Sequence, residues 1–214
     1  MHKQLNDIVF VNYQLEYPIP DIAKDIDWKK ILPPPPANDS DITKREILQV
    51  SSLTDKLSYA DRLLVYQIDD DANSLLYKYI IEQNISFSID YFRSIYRIIR
   101  PILLNIKYFY NRPRPYDLAP YYNIPINIIS TETHHTPAYP SGHTVYTSLA
   151  CEIIRKQYPN NAEINNSLDN IVNTTARCRM MQGVHYNSDN EGSIKLANIL
   201  YNFLYSKLEK QYHG

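Results

Sequence analysis

The 214-residue chain reads as an all-α single domain, a helical bundle preceded by an irregular, proline-rich N-terminal arm. Three observations predict this. From residue 41 onward, apolar residues recur at three- and four-residue intervals in one segment after another. Strict apolar–polar alternation is sustained nowhere, so no strand is expected. The run Pro33–Pro36 cannot be helical and closes the arm just before the helical pattern begins. The length suits one domain with a decorated terminus, so the division is 1–40 for the arm and 41–214 for the helical domain.

The elements follow in order. The arm, ending in "ILPPPPANDSD", is expected to run as polyproline II, as a linker or a wrapping segment. Ser40 or Asp41 then caps a helix through "ITKREILQV". "SYADRLLVYQI" follows, with Leu63, Leu64 and Ile68 at helical spacing. Asp69, Asp70 and Asp71 precede "ANSLLYKYIIEQ". A helix N-terminus, which favours negative charge, accounts for them better than a metal site. Residues 88–111 form a further apolar-periodic stretch, expected to kink or split at Pro101. Helices are predicted over 141–157, about 162–181 and about 188–210. In the last, Ile194, Ala197, Leu200, Phe203 or Leu204, and Leu208 share a face.

Composition excludes several classes. A formal net charge of -1 provides no field for a nucleic-acid partner. No segment reaches the ~18 apolar residues of a membrane span. "YRIIRPILLNIKYFY" comes nearest but carries Arg97, Arg100 and Lys107. The first residues lack the basic-then-apolar order of a secretory signal. A soluble intracellular protein is therefore expected, the alternative being an exported one whose leader is missing. Cys151 and Cys178 are too few for a disulfide framework, and unpaired thiols are the simpler expectation. The sequence leaves a homo-oligomer open.

The chemistry gathers in three segments. No glycine precedes Gly142, which excludes a Gly-rich phosphate loop. Zinc-ligand spacings and a G-x-S-x-G elbow are also lacking. In "KYFYNRPRP", the helix carrying Lys107 must end near Asn111, and Arg114 is held stiffly between Pro113 and Pro115. "PSGH", residues 140–143, reads as a helix start whose free N–H groups can bind an anion. There Gly142 lets a ligand approach the backbone, Ser141 adds a hydroxyl, and His143 sits in the first turn. In "CRMMQGVHYNSDN", His185 and Asp189 stand four apart, so that a carboxylate can fix the imidazole tautomer; Arg179 precedes them. Together these residues suit a tetrahedral oxyanion held between a nucleophile and a proton donor.

The three segments resemble the signature of the type 2 phosphatidic acid phosphatase and vanadium haloperoxidase superfamily: K-x6-R-P, P-S-G-H and S-R-x5-H-x3-D. Lys107, Arg114 and Pro115 match the first part, residues 140–143 the second, and Arg179, His185 and Asp189 the third. Arg112 is out of register. Cys178 stands where the family has serine, which puts a polar role there in doubt. "ILPPPPANDSD" and "YPSGHT" look like the soluble class A non-specific acid phosphatases. The resemblance implies a helical bundle, with 41–214 an acid-phosphatase-like catalytic domain. It implies a metal-independent phosphatase acting on a small phosphorylated substrate through a phosphohistidine, with phosphotransfer as a further activity. His185 would be the nucleophile, Asp189 its orienter and His143 the acid and base. Lys107, Arg114, Ser141, Gly142 and Arg179 would bind phosphate. No cofactor is implied; phosphate or vanadate would occupy the site. A vanadate-dependent haloperoxidase is the alternative. His134 and His135 are expected in a solvated loop, with a place at the pocket mouth as the other reading.

Overall fold

The computed structural model describes residues 17–24 and 26–212, with side chains to residue 204. Helices follow one another as α1 (Asp41–Asp55), α2 (Tyr59–Asp70), α3 (Ser74–Glu82), α4 (Ile89–Tyr110), the short α5 (Pro115–Leu118), α6 (Gly142–Gln157), α7 (Ala162–Met181) and α8 (Asn187–Tyr212). Among the described residues there is no strand, so the all-α reading holds. Residues 1–16, where a leader was sought, and 213–214 lie outside the described residues.

Local chemistry explains most helix starts. Ser40 accepts from the Thr43 N–H and begins α1. Ser58 and Asp61 exchange backbone bonds in a capping box at α2. Ser88 begins α4 and Asn161 begins α7 in the same manner. α6 differs: its N-cap, Ser141, makes no capping side-chain bond, so its first N–H groups have no such partner.

α6 is the central helix. Every residue from Thr144 to Cys151 is buried, and α7 and α8 pack along it. α4 lays Ile95, Ile99, Ile102 and Ile106 onto the same core. Pro101 neither splits nor ends α4. Arg97, whose carbonyl it cannot bond, is exposed to water, while the buried isoleucines hold the helix to the core on both sides of the proline.

The arm is built into the core. Trp28 is buried, donates to the Ala23 carbonyl and meets Phe203 of α8 edge-on. Leu32 is buried beside it, its carbonyl accepting from Tyr110, and Tyr139 donates to the Pro33 carbonyl at 2.9 Å. Tyr139 thus ties the arm to the segment that begins α6, just before the cis Tyr139–Pro140 bond.

The Tyr139 ring also lies against Gly192 of α8, where an added Cβ would fall 2.5 Å from Tyr139 Cε2. Tyr110 packs edge-on against that ring and Pro33 holds its hydroxyl, so the ring cannot step aside. Gly192→Ala is expected to cost ~1–3 kcal/mol, the usual penalty of overpacking. Urea unfolding checks it: a midpoint equal to wild type would mean that the arm yields freely.

Candidate active site

Lys107, Arg114, Gly142, His143, Arg179 and His185, drawn from all three segments, line a single cavity of about 600 Å³. Asp189 and Ser141 stand fully buried behind its wall. The Ser141 hydroxyl lies 3.0 Å from that of Thr144, which donates to Asn190 Oδ1 at 2.8 Å.

Lys107 lies on the last turn of α4, which Asn111 ends in a left-handed conformation. Its Nζ donates to the Pro137 carbonyl at 2.7 Å. Burial, and then Arg114, hold its pKa well below the ordinary lysine value. Arg114 donates from Nε to the Thr136 carbonyl at 2.9 Å and from one terminal nitrogen to the Val184 carbonyl at 2.8 Å. That same nitrogen lies 2.8 Å from His185 Nε2. Burial and then Arg179 lower the guanidinium to about 10.

A guanidinium can only donate, so His185 Nε2 accepts and carries its lone pair. Nδ1–H of His185 then donates to Asp189 Oδ2 at 3.1 Å. Gly183, at φ 88, makes the sharp turn that ends α7 and brings His185 to the cavity; a Cβ there would also press on Ile126 and Ile128 at 3.0 Å. Burial first, then Arg114 and Lys107, push the His185 pKa well below 6.5. The imidazole is neutral, with its lone pair on the cavity side.

His143 is held differently. Its Nε2–H donates to the backbone carbonyl of Asp69 at 3.1 Å, leaving Nδ1 as the nitrogen able to exchange a proton with a ligand. Burial and then Arg179 lower its pKa to about 3, against a partial restoring effect of Asp69.

Several groups that hold the site had no signal in the sequence. Asp69 does not sit at a helix N-terminus. It is on the last turn of α2, where the dipole disfavours a carboxylate, and its reason for being there is Arg179. Arg179 donates to Asp69 Oδ1 at 2.5 Å, and Thr133 and Gln182 donate to the same oxygen. Burial alone would raise the Asp69 pKa; those bonds outweigh it and hold the carboxyl well below its usual range. Arg179 Nε, buried on a guanidinium that lines the cavity, has no protein partner. Arg112 turns away from the cavity. It donates to Asp189 Oδ1 at 2.6 Å and to Glu46 at 3.2 Å, with its guanidinium stacked 3.8 Å over Tyr186. Glu46, from α1, also accepts from Ser188. A continuous chain of contacts, Glu46–Arg112–Asp189–His185, therefore orients the imidazole.

His134 and His135 separate. His134 is not solvated: it is buried, with its ring between the Tyr116 hydroxyl and the Thr131 N–H. His135 lines the cavity. Cys178 packs with Val65, Ile68 and Met181, and burial pushes its thiol up to about 11, so the position serves apolar packing here. Both cysteines are free and buried. The described residues contain no cluster of three or more His, Cys, Asp or Glu suited to a metal.

No protein-family model and no curated protein matches the chain. Among solved structures it is similar to a transmembrane PAP2-type phosphatidylglycerolphosphate phosphatase from Bacillus subtilis. The two are 15% identical with a TM-score of 0.54, over 80% of this chain and 89% of that one. The likeness is one of fold: this chain shares the helical fold of that phosphatase. Among the described residues no helix is long and apolar enough to cross a membrane.

Removing Arg112 would leave Glu46 and Asp189 as unpaired carboxylates in a site where Asp189 is 0% exposed. Arg112→Met is expected to destabilise by ~3–5 kcal/mol, as when one member of a buried ion pair is deleted. Chemical denaturation reads this directly. A loss under ~1 kcal/mol would show that the chain of contacts bears little of the site's stability.

Proposed function

We propose that this chain is a phosphatase that transfers the phosphoryl group of a monoester to His185 and then to water. One observation carries the reading: a neutral imidazole presents its Nε2 lone pair among three buried cations, with a carboxylate on its other nitrogen. Lys107, Arg114 and Arg179 would bind the phosphate oxygens, together with the open N–H groups at the start of α6.

In the first step His185 Nε2 bonds to phosphorus while the bond to the leaving oxygen breaks. His143 gives that oxygen a proton from Nδ1. Asp189, fixed by Arg112, stabilises the charge that develops on the His185 ring. In the second step the neutral His143 takes a proton from water as the water oxygen attacks phosphorus. The P–N bond breaks, phosphate leaves, and both imidazoles return to their starting states. The segments "ILPPPPANDSD" and "YPSGHT" support a place beside the class A acid phosphatases. Vanadate, a mimic of the trigonal-bipyramidal state, would bind the same groups.

His185→Ala is expected to abolish phosphate release from p-nitrophenyl phosphate, and wild type quenched during turnover should carry a base-stable, acid-labile phosphoryl group. Activity should persist in EDTA and fall with micromolar orthovanadate. Turnover retained by purified His185→Ala would overturn the nucleophile. Vanadate-supported halide oxidation without phosphatase activity would select the haloperoxidase instead.

The pH dependence has a definite sign. His143 titrates near 3 in the protein and near its ordinary value of 6.5 when unfolded. Between those values the unfolded chain binds the extra proton, so folding stability falls as pH drops from about 6.5 towards 3. A bound phosphate dianion offsets the surrounding cations and restores the proton to His143. Inorganic phosphate should therefore raise the melting temperature more at pH 5 than at pH 8, and kcat/KM should decline as pH rises through neutrality. Equal thermal shifts at both pH values would remove His143 from the proton transfer.

A further inference from the structure

The cavity is larger than a phosphate needs; its volume suits a ligand with a substantial organic part. Its three buried cations, Lys107, Arg114 and Arg179, stand with His143 and His185. What remains of the wall has an uneven composition: four aromatic rings, Tyr77, Phe92, Tyr96 and Tyr146, and no aliphatic side chain larger than Ala72. We infer that the rest of this wall is a subsite for a leaving group bearing a flat aromatic ring of about nucleoside size, stacked on Tyr96, which Tyr146 backs. The inference rests on the phosphatase reading and adds the class of substrate.

Position supports it. Tyr146 follows His143 by three residues on α6, one turn along the same face. The group whose oxygen His143 protonates therefore emerges beside the Tyr146 ring. Tyr96 of α4 reaches over from the other side, its ring centroid 4.0 Å from that of Tyr146. Tyr146 is nearly covered, but Tyr96 is 37% exposed, a large ring presented to whatever fills the cavity. Arg100 follows Tyr96 by four residues, lines the same wall and is exposed. Its guanidinium can stack on a ring or meet a second anionic group.

The same wall argues against acyl chains. Asp70, Asp71, Arg93 and Glu132 bring charge to it. A lipid tail would desolvate those charges and find no aliphatic surface in return. A sugar hydroxyl can donate to the carboxylates, and a heteroaromatic ring finds a face to stack on.

The test compares two esters with the same leaving oxygen, adenosine 5′-monophosphate and ribose 5-phosphate, so that leaving-group reactivity cancels. Wild type is expected to favour the nucleotide by about 10-fold in kcat/KM, within the range that a base stacked on one aromatic side chain contributes. Tyr96→Phe should keep the ratio and Tyr96→Ala should bring it towards one. A wild-type ratio near one, a ratio unchanged in Tyr96→Ala, or a dihexanoyl phosphatidic acid cleaved in preference to the nucleotide would each overturn the subsite. Failure of the phosphatase reading looks different: no ester is cleaved, p-nitrophenyl phosphate included. Thermal shifts with the same two compounds then decide. A larger shift with the nucleotide sustains the subsite, and equal shifts overturn it.

Discussion

Like charges crowded out of water repel, and this site holds Lys107, Arg114 and Arg179 in one desolvated wall. Burial depresses the pKa of each, and of both histidines beside them. Much of the surrounding architecture offsets that repulsion. Helix carbonyls are already used within their helices, so the acceptors come from irregular backbone: Thr136 and Pro137 in the loop before α6, and Val184 in the turn before α8. Two carboxylates complete the balance, Asp69 on Arg179 and Asp189 behind His185. The stretch between α5 and α6 supplies the carbonyls of Thr136 and Pro137 to Arg114 and Lys107.

Locality decides how much the sequence could disclose. Helical periodicity placed the helices because it depends on neighbours three and four residues apart. The three chemical segments were legible for the same reason: each keeps its spacing within a dozen residues. Asp69 lies 110 residues from the Arg179 it neutralises, and Glu46 lies 66 from Arg112; no local pattern joins such pairs. Arg112 is the sharpest instance. It stands two residues from Arg114, yet one guanidinium turns into the cavity and the other behind it, a choice made by α1 and α8 together. Pro101 shows tertiary packing overriding a local preference, since α4 continues, with its buried face, past a residue that ordinarily interrupts a helix.

The fold is shared with a protein described as transmembrane, while in this chain Arg97 and Arg100 of α4 are exposed and among the described residues no helix suits a bilayer. What the helices present outward can change while the inner arrangement of helices persists, which is why likeness of fold and likeness of activity are separate statements. Cys178 makes the same point on a smaller scale. Its side chain belongs to an apolar patch between α2 and α7, next to an arginine that belongs to the cavity.

If His185 is the nucleophile proposed above, its contact with Arg114 at Nε2 would make that nucleophilicity conditional. While the guanidinium donates to that nitrogen, the lone pair is engaged and cannot bond to anything else. A tetrahedral anion offers Arg114 better acceptors than a neutral imidazole does, and in taking the donor it would free the lone pair where the proposed reaction places phosphorus. A neutral electrophile of the same size has nothing to exchange. Under the proposed mechanism, discrimination would be exercised in the arming of the imidazole, before any bond is made, and the cation that meets the anion would also serve as the safety catch on His185.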